Sequence, residues 1–203
     1  ISRRASADAS VTALAAHPTG GLVVAHVGGL EIHRPGGDIL TIDGSSGIAL
    51  NCPVAVMFED AGTLIVANGS ATNGPDDWCR DLMENNRSGS IWRVDIARGS
   101  GQCLAQDLGF PAGVATTAAG NIVVSESWLH RVIRIGEGSQ ITVLYDDLPG
   151  YPGGLSRNAE GGYWLSVFAP RRQIFEFVLR EDAYRERMIA TLDQQYWVAP
   201  TLS

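Results

Sequence analysis

Charge is scarce in this chain. Acidic and basic residues occupy 18% of its 203 positions, and 22 acidic residues outnumber 15 basic ones, for a net charge of -7. A phosphate backbone selects a basic surface, so nucleic acid is excluded as the main partner. Long apolar runs are missing too. None approaches the roughly 20 residues that carry a helix across a bilayer, and a membrane-spanning helix is excluded. Cysteines number 3, Cys52, Cys79 and Cys103. An odd, small count without CxxC spacing suits neither a disulfide framework nor a zinc site, so the thiols are expected to be reduced and buried. No charged segment leads into an apolar one behind Ile1. No signal peptide is therefore visible and the cytoplasm is the expected location, although a start at isoleucine leaves a removed leader open. No serine stands in a Gly-x-Ser-x-Gly elbow, so Ser125, Ser127 and Ser166 have no nucleophile signature. Asn68-Gly-Ser and Asn86-Arg-Ser match the glycosylation triplet, which arises often by chance, and neither is expected to be used.

What the chain has instead is glycine and apolar residues: 24 Gly, 9 Pro and 45% hydrophobic residues. Such a chain offsets its folding entropy and is not disordered. The glycines and prolines punctuate short β-branched runs, which predicts an all-β fold of many short strands in a single domain over 1–203. The punctuation repeats. Pro53-Val-Ala-Val is followed nine residues on by Gly62 and then Leu64-Ile-Val. Pro111-Ala-Gly-Val leads in the same way to Gly120 and Ile122-Val-Val, and Pro152-Gly-Gly-Leu to Gly161 and Tyr163-Trp-Leu. A weaker copy has Val11 in the Pro position, with Gly20 and Leu22-Val-Val.

The third copy shows the unit. Strands are expected at 113–116, 121–125, 131–135 and 141–145, with a turn at 118–120 and glycines supplying positive φ. Four antiparallel strands in roughly 42 residues make the blade of a β-propeller. The second copy carries an insertion, 69–88, between its second and third strands, in which 77–84 suits one or two helical turns. Tyr184, Met188 and Leu192 recur at helical spacing and predict a helix over 180–192.

Phe110-Pro-Ala-Gly-Val-Ala, Val123-Val-Ser-Glu-Ser-Trp-Leu-His-Arg and Leu148-Pro-Gly-Tyr-Pro-Gly-Gly-Leu resemble the strictosidine synthase-like proteins, in the bacterial branch near the gluconolactonase and senescence-marker-protein propellers. The resemblance covers residues 50–200. It implies a six-bladed ring, and either hydrolysis of lactones or organophosphates or, as in plants, condensation of an amine with an aldehyde. It also implies a divalent cation, usually calcium, held by Asn, Asp and Glu just after each repeat proline. Those positions here are Val54, Ala112 and Gly153, with Thr12 in the first copy. None offers a side-chain carboxylate or amide, and a hard cation takes six to eight oxygens. No cofactor is expected from this chain. Four blade starts nearly exhaust its length. The other blades are expected on a second chain or outside these residues, or the ring closes with fewer.

Fifteen residues past each start stand His26, Asn68, Glu126 and Val167. Glu126 and His130, four apart, are the expected acid–base pair. His26, Asn68, Tyr151 and Ser166 are the expected substrate contacts, with Tyr151 at the channel mouth. The alternative for each is structural: Glu126 pairing with Arg131 or Arg134, His130 capping a turn, Asn68 in a turn. The function expected is hydrolysis of a small lactone or ester. The alternative is a non-catalytic propeller that binds a small molecule or a protein partner.

Overall fold

Fourteen strands and three α-helices make up the described residues, 10–200, of a computed structural model. Residues 1–9 and 201–203, the outer ends of the expected domain, lie outside the described residues. Strands β1 (Val11–Ala16), β2 (Leu22–His26), β3 (Gly29–His33) and β4 (Ile39–Asp43) form one antiparallel sheet in sequence order. A second contains β5 (Pro53–Asp60), β6 (Thr63–Asn68), β7 (Gly89–Asp95) and β8 (Ser100–Leu108). A third contains β9 (Pro111–Thr116), β10 (Ile122–Glu126), β11 (Arg131–Ile135) and β12 (Ile141–Tyr145). These are three propeller blades. The insertion in the second blade carries α1 (Trp78–Met83).

The fourth repeat departs from the others. Its sheet has two strands, β13 (Gly150–Arg157) and β14 (Tyr163–Pro170), after which the chain turns into α2 (Gln173–Arg180) and α3 (Asp182–Thr191). A helix over 180–192 was expected; α2 was not. In α2 Ile174, Phe175, Phe177 and Val178 fall on two apolar steps of a short helix, a pattern too brief to distinguish from a strand by periodicity.

Side-chain alternation makes each inner strand serve two interfaces. Leu64 and Val66 of β6 pack toward the first sheet with Val23, Leu30 and Ile32, while Ile65 and Ala67 pack toward the third with Val114, Val124 and Ile133. Each such burial of a Val, Leu or Ile contributes about 1.5–3 kcal/mol. The first strands pack in succession, β1 on β5, β5 on β9 and β9 on β13, and form the inner side of the arc. Gly113 sets the last of these approaches. A Cβ there would stand 2.5 Å from the Gly153 carbonyl oxygen and 2.6 Å from the Leu155 nitrogen. Of the repeated turn glycines, Gly20, Gly120 and Gly161 adopt positive φ and Gly62 does not. On the end sheets, among the described residues, Leu14 of β1 is 64% exposed and Trp164 of β14 70%. Cys52 and Cys79 are buried free thiols and Cys103 is half-buried; burial pushes the Cys52 thiol up to about 12.

Candidate functional site

The turn between β10 and β11 is short, and His130 closes it at a φ of 49°, a conformation that histidine adopts more readily than most residues. This backbone turns the His130 ring toward β13 and α2. Its Nδ1 lies 3.2 Å from the Gly150 carbonyl oxygen. A carbonyl only accepts, so Nδ1 carries the proton and Nε2 is left bare in the neutral ring. Nε2 stands 3.5 Å from Glu176 Oε1. Tyr151, fully buried, packs its ring edge-on against His130 at 4.5 Å between centroids and donates its hydroxyl to Glu176 Oε1 at 3.2 Å. Arg171 grips the other carboxylate oxygen, Nε at 3.0 Å and Nη2 at 2.8 Å, and donates from Nη1 to Asp147 at 2.5 Å.

Electrostatics follow from this packing. Burial holds His130 below the ordinary imidazole value and the Arg171 charge adds to it, against an opposing pull from Glu176. The ring is therefore neutral at neutral pH. Burial alone would raise the Glu176 carboxyl, but the Arg171 hydrogen bonds and charge, joined by His130 only when its ring is protonated, outweigh it and hold the group ionised. Burial, then the Glu176 charge, pushes the Tyr151 phenol up, so it stays a donor. His130, Arg171 and Glu176 line a cleft of about 520 Å³ together with Leu82, Trp128, Leu129 and Leu179.

The expected Glu126–His130 pair does not form. Glu126 is fully buried, accepts from the Gly109 N–H at 2.9 Å on Oε1 and holds Arg131 Nε at 2.5 Å on Oε2. Four residues apart in a hairpin turn, unlike four apart in a helix, the two side chains leave in different directions. Asn68 is buried at the end of β6, where Oδ1 accepts from the Cys52 N–H at 2.7 Å and Nδ2 donates to the Ser70 carbonyl at 3.0 Å. That is a strand-end brace with no free polar atom for a substrate. His26 lies in the first blade, its Nε2 4.0 Å from Glu31, far along the chain from the cleft. Ser166 is exposed on β14 and donates to the Gly154 carbonyl at 3.3 Å. Tyr151 is in the core behind His130 and does not line the channel mouth. Of the expected residues, only His130 and Tyr151 come together. Glu176 and Arg171 were missed, because α2 and the residues leading into it, about 40 positions from His130, bring them in.

The channel mouth has a different character. Ala112 and Gly153, at positions that carry cation ligands in the hydrolases resembled, line an apolar pocket of about 230 Å³ with Trp78, Phe110, Trp128 and Phe168. Phe110 stacks on Trp128 at 4.5 Å, and Trp78 meets Phe168 edge-on at 5.3 Å. Ser127, at the same place, donates its hydroxyl to the Pro152 carbonyl. This lining does not fit calcium, which needs a shell of charged and carbonyl oxygens. Among the described residues no group of three or more His, Cys, Asp or Glu converges on a cation-sized site. Nor is any helix there long and apolar enough to cross a membrane.

No protein-family model matches the chain. It is 26% identical to strictosidine synthase-like 6 of Arabidopsis thaliana over 130 residues, which cover 63% of this chain and 35% of that protein. It is 26% identical over 101 residues to the adipocyte plasma membrane-associated protein of Danio rerio, covering 47% and 24%. The chain thus spans about a third or less of the curated relatives it matches. Among solved structures, virginiamycin B lyase from Staphylococcus aureus superposes with a TM-score of 0.61 at 15% identity, over 80% of this chain and 50% of its own. A gluconolactonase-family protein gives 0.57 at 21% identity over 76% and 56%, and a luciferin-regenerating enzyme 0.59 at 18% over 82% and 58%. In sequence, then, the chain resembles the strictosidine synthase-like proteins, and in fold it is an all-β arrangement of propeller blades shared with the gluconolactonase-family and luciferin-regenerating structures.

Proposed function

We propose that this chain carries the acid–base centre of a hydrolase for small lactones or esters, with His130 as the general base. The observation that carries the reading is the neutral His130 ring, with Nδ1 fixed by Gly150 and Nε2 beside Glu176, on the wall of a cleft large enough for a small molecule. A water oxygen attacks the acyl carbon while its proton passes to Nε2. The imidazolium that forms is stabilised by the Glu176 carboxylate, which Arg171 and Tyr151 hold in place. The same proton then passes to the departing alkoxide oxygen as the acyl C–O bond breaks, and the ring returns neutral. Glu126 takes no part, and no step runs through a cation. The likeness to gluconolactonase-family and strictosidine synthase-like proteins supports an enzyme by analogy of fold and sequence.

A panel of aryl esters and γ- and δ-lactones tests this. His130→Gln is expected to lower the rate by about 10²–10⁴-fold, the usual contribution of a positioned acid–base group. An unchanged rate would remove His130 from the chemistry.

The aromatic pocket at the channel mouth favours a second reading, a non-catalytic propeller that binds a small apolar molecule. Its lining supplies contact area and no reactive group. Binding of an aromatic probe that Phe110→Ala abolishes, with no turnover of any panel member, selects that reading.

A further inference from the structure

We infer that the cleft beside His130 binds an organic carboxylate, through Arg87 and Arg180. Resting on the hydrolase reading, this ligand is the acid that lactone or ester cleavage releases. The argument is one of charge. Arg87, Arg180 and Arg171 line the cleft together with two carboxylates, Glu176 and Asp182. Both carboxylates are already taken, Glu176 by Arg171 at 2.8 Å and Asp182 by Arg185 at 2.6 Å. The side chains of Arg87 and Arg180 make no hydrogen bond or ion pair among the described residues. Two guanidinium groups without a partner therefore line one concavity, in a chain whose net charge is -7.

The rest of the cleft says what is attached to the anion. Leu82, Trp128, Leu129 and Leu179 also line it and give an apolar body contact that a bare, fully hydrated oxyanion does not use. Trp128 is held rigid, stacked on Phe110 and with its indole N–H donated to Asp81 at 2.7 Å. A guanidinium presents two parallel N–H groups that match the two oxygens of a carboxylate, and at about 520 Å³ the cleft is of the size that encloses small organic ligands.

Benzoate, its neutral isostere benzamide and inorganic phosphate are the probes, with binding followed by calorimetry and by NMR shifts of the Leu129 and His130 amides. Benzoate is expected to bind at least tenfold more tightly than benzamide and than phosphate, and to weaken as salt is raised. The double variant R87A/R180A is expected to lose at least tenfold in benzoate affinity with its folded spectrum intact. Each of R87Q and R180Q is expected to lose part of it. Equal binding of benzoate and benzamide, phosphate binding as tightly as benzoate, or an unaffected double variant would overturn the inference. Because binding is read without turnover, arginine-dependent benzoate binding by a protein that cleaves no ester leaves this inference standing and sinks the hydrolase reading. Turnover with no preference for carboxylates does the reverse.

Discussion

Asp81 Oδ1 accepts the indole N–H of Trp128 at 2.7 Å, across 47 residues of sequence. The bond ties α1, in the second-blade insertion, to the turn that ends in His130. Trp128 is the wall common to both concavities, the aromatic pocket at the channel mouth and the arginine-rimmed cleft. Asp81 is 1% exposed, and its Oδ2 also accepts from Asn73 at 3.1 Å and Asn86 at 2.7 Å. One buried carboxylate therefore satisfies three donors from three segments.

Replacing that carboxylate strands the Trp128 indole N–H and takes one acceptor each from Asn73 and Asn86, which keep Glu84 at 2.8 Å and Thr72 at 2.6 Å. Asp81→Ala is expected to cost about 3 kcal/mol, within the range for stranding buried polar groups, and Asp81→Asn about half as much. Denaturant unfolding checks the order. Equal stability of Asp81→Ala and wild type would mean that water replaces the carboxylate and that Trp128 is not anchored by it.

Gly113→Ala is expected to destabilise by about 1–3 kcal/mol, because the new methyl meets backbone atoms of β13 at 2.5–2.6 Å and backbone cannot rotate away. The same change at Gly36, which has open space around the added Cβ, is the control. If both variants unfold together with wild type, β9 and β13 are not in the contact described.

Glu126→Gln separates the role expected from sequence from the one seen in the structure. It keeps an acceptor for Gly109 but loses the charge partner of Arg131, and about 1–3 kcal/mol of stability is expected to go with it. The hydrolysis rate per folded molecule is expected to stay level. A selective loss of rate at unchanged stability would restore Glu126 as the base.

Stability is expected to fall on acidification in two stages. His130 is held below its ordinary value of 6.5, so the unfolded chain takes up its proton first and stability drops as pH falls below about 6.5. Glu176 is held below 4.5, and its stabilisation is present above that value and lost as pH falls through the lower, folded one. Denaturation midpoints from pH 8 to 3 measure this. His130→Gln should erase the upper stage and leave the lower; an upper stage that survives the substitution belongs to another group.

The blades were legible in the sequence because their signals are local. A proline, a glycine nine residues later and a β-branched run each constrain backbone within a few positions, and β9–β12 fall where the third repeat predicts them to within two residues. The helix after β14 was not legible, since Pro152, Gly161 and Tyr163-Trp-Leu match the repeat fully and α2 follows where the third blade has its third strand. The site was harder still. Glu126 and His130 were paired by spacing alone, and a hairpin turn sends one into the core toward Arg131 and the other toward Glu176. Nothing near Glu176 in sequence announces His130, because Gly150, Tyr151 and Arg171 define that meeting in three dimensions.

The pH dependence of kcat/KM for the best lactone or aryl ester, measured with a chelator present, tests the central claim most directly. Wild type is expected to show activity rising with pH along one limb whose midpoint lies below 6.5, where His130 loses its proton. In Glu176→Gln the limb is expected at lower pH, because the carboxylate that pulls the imidazole value upward is gone. Turnover that vanishes with the chelator, or a limb that stays in place in Glu176→Gln, would contradict a cation-independent hydrolase with His130 as its base.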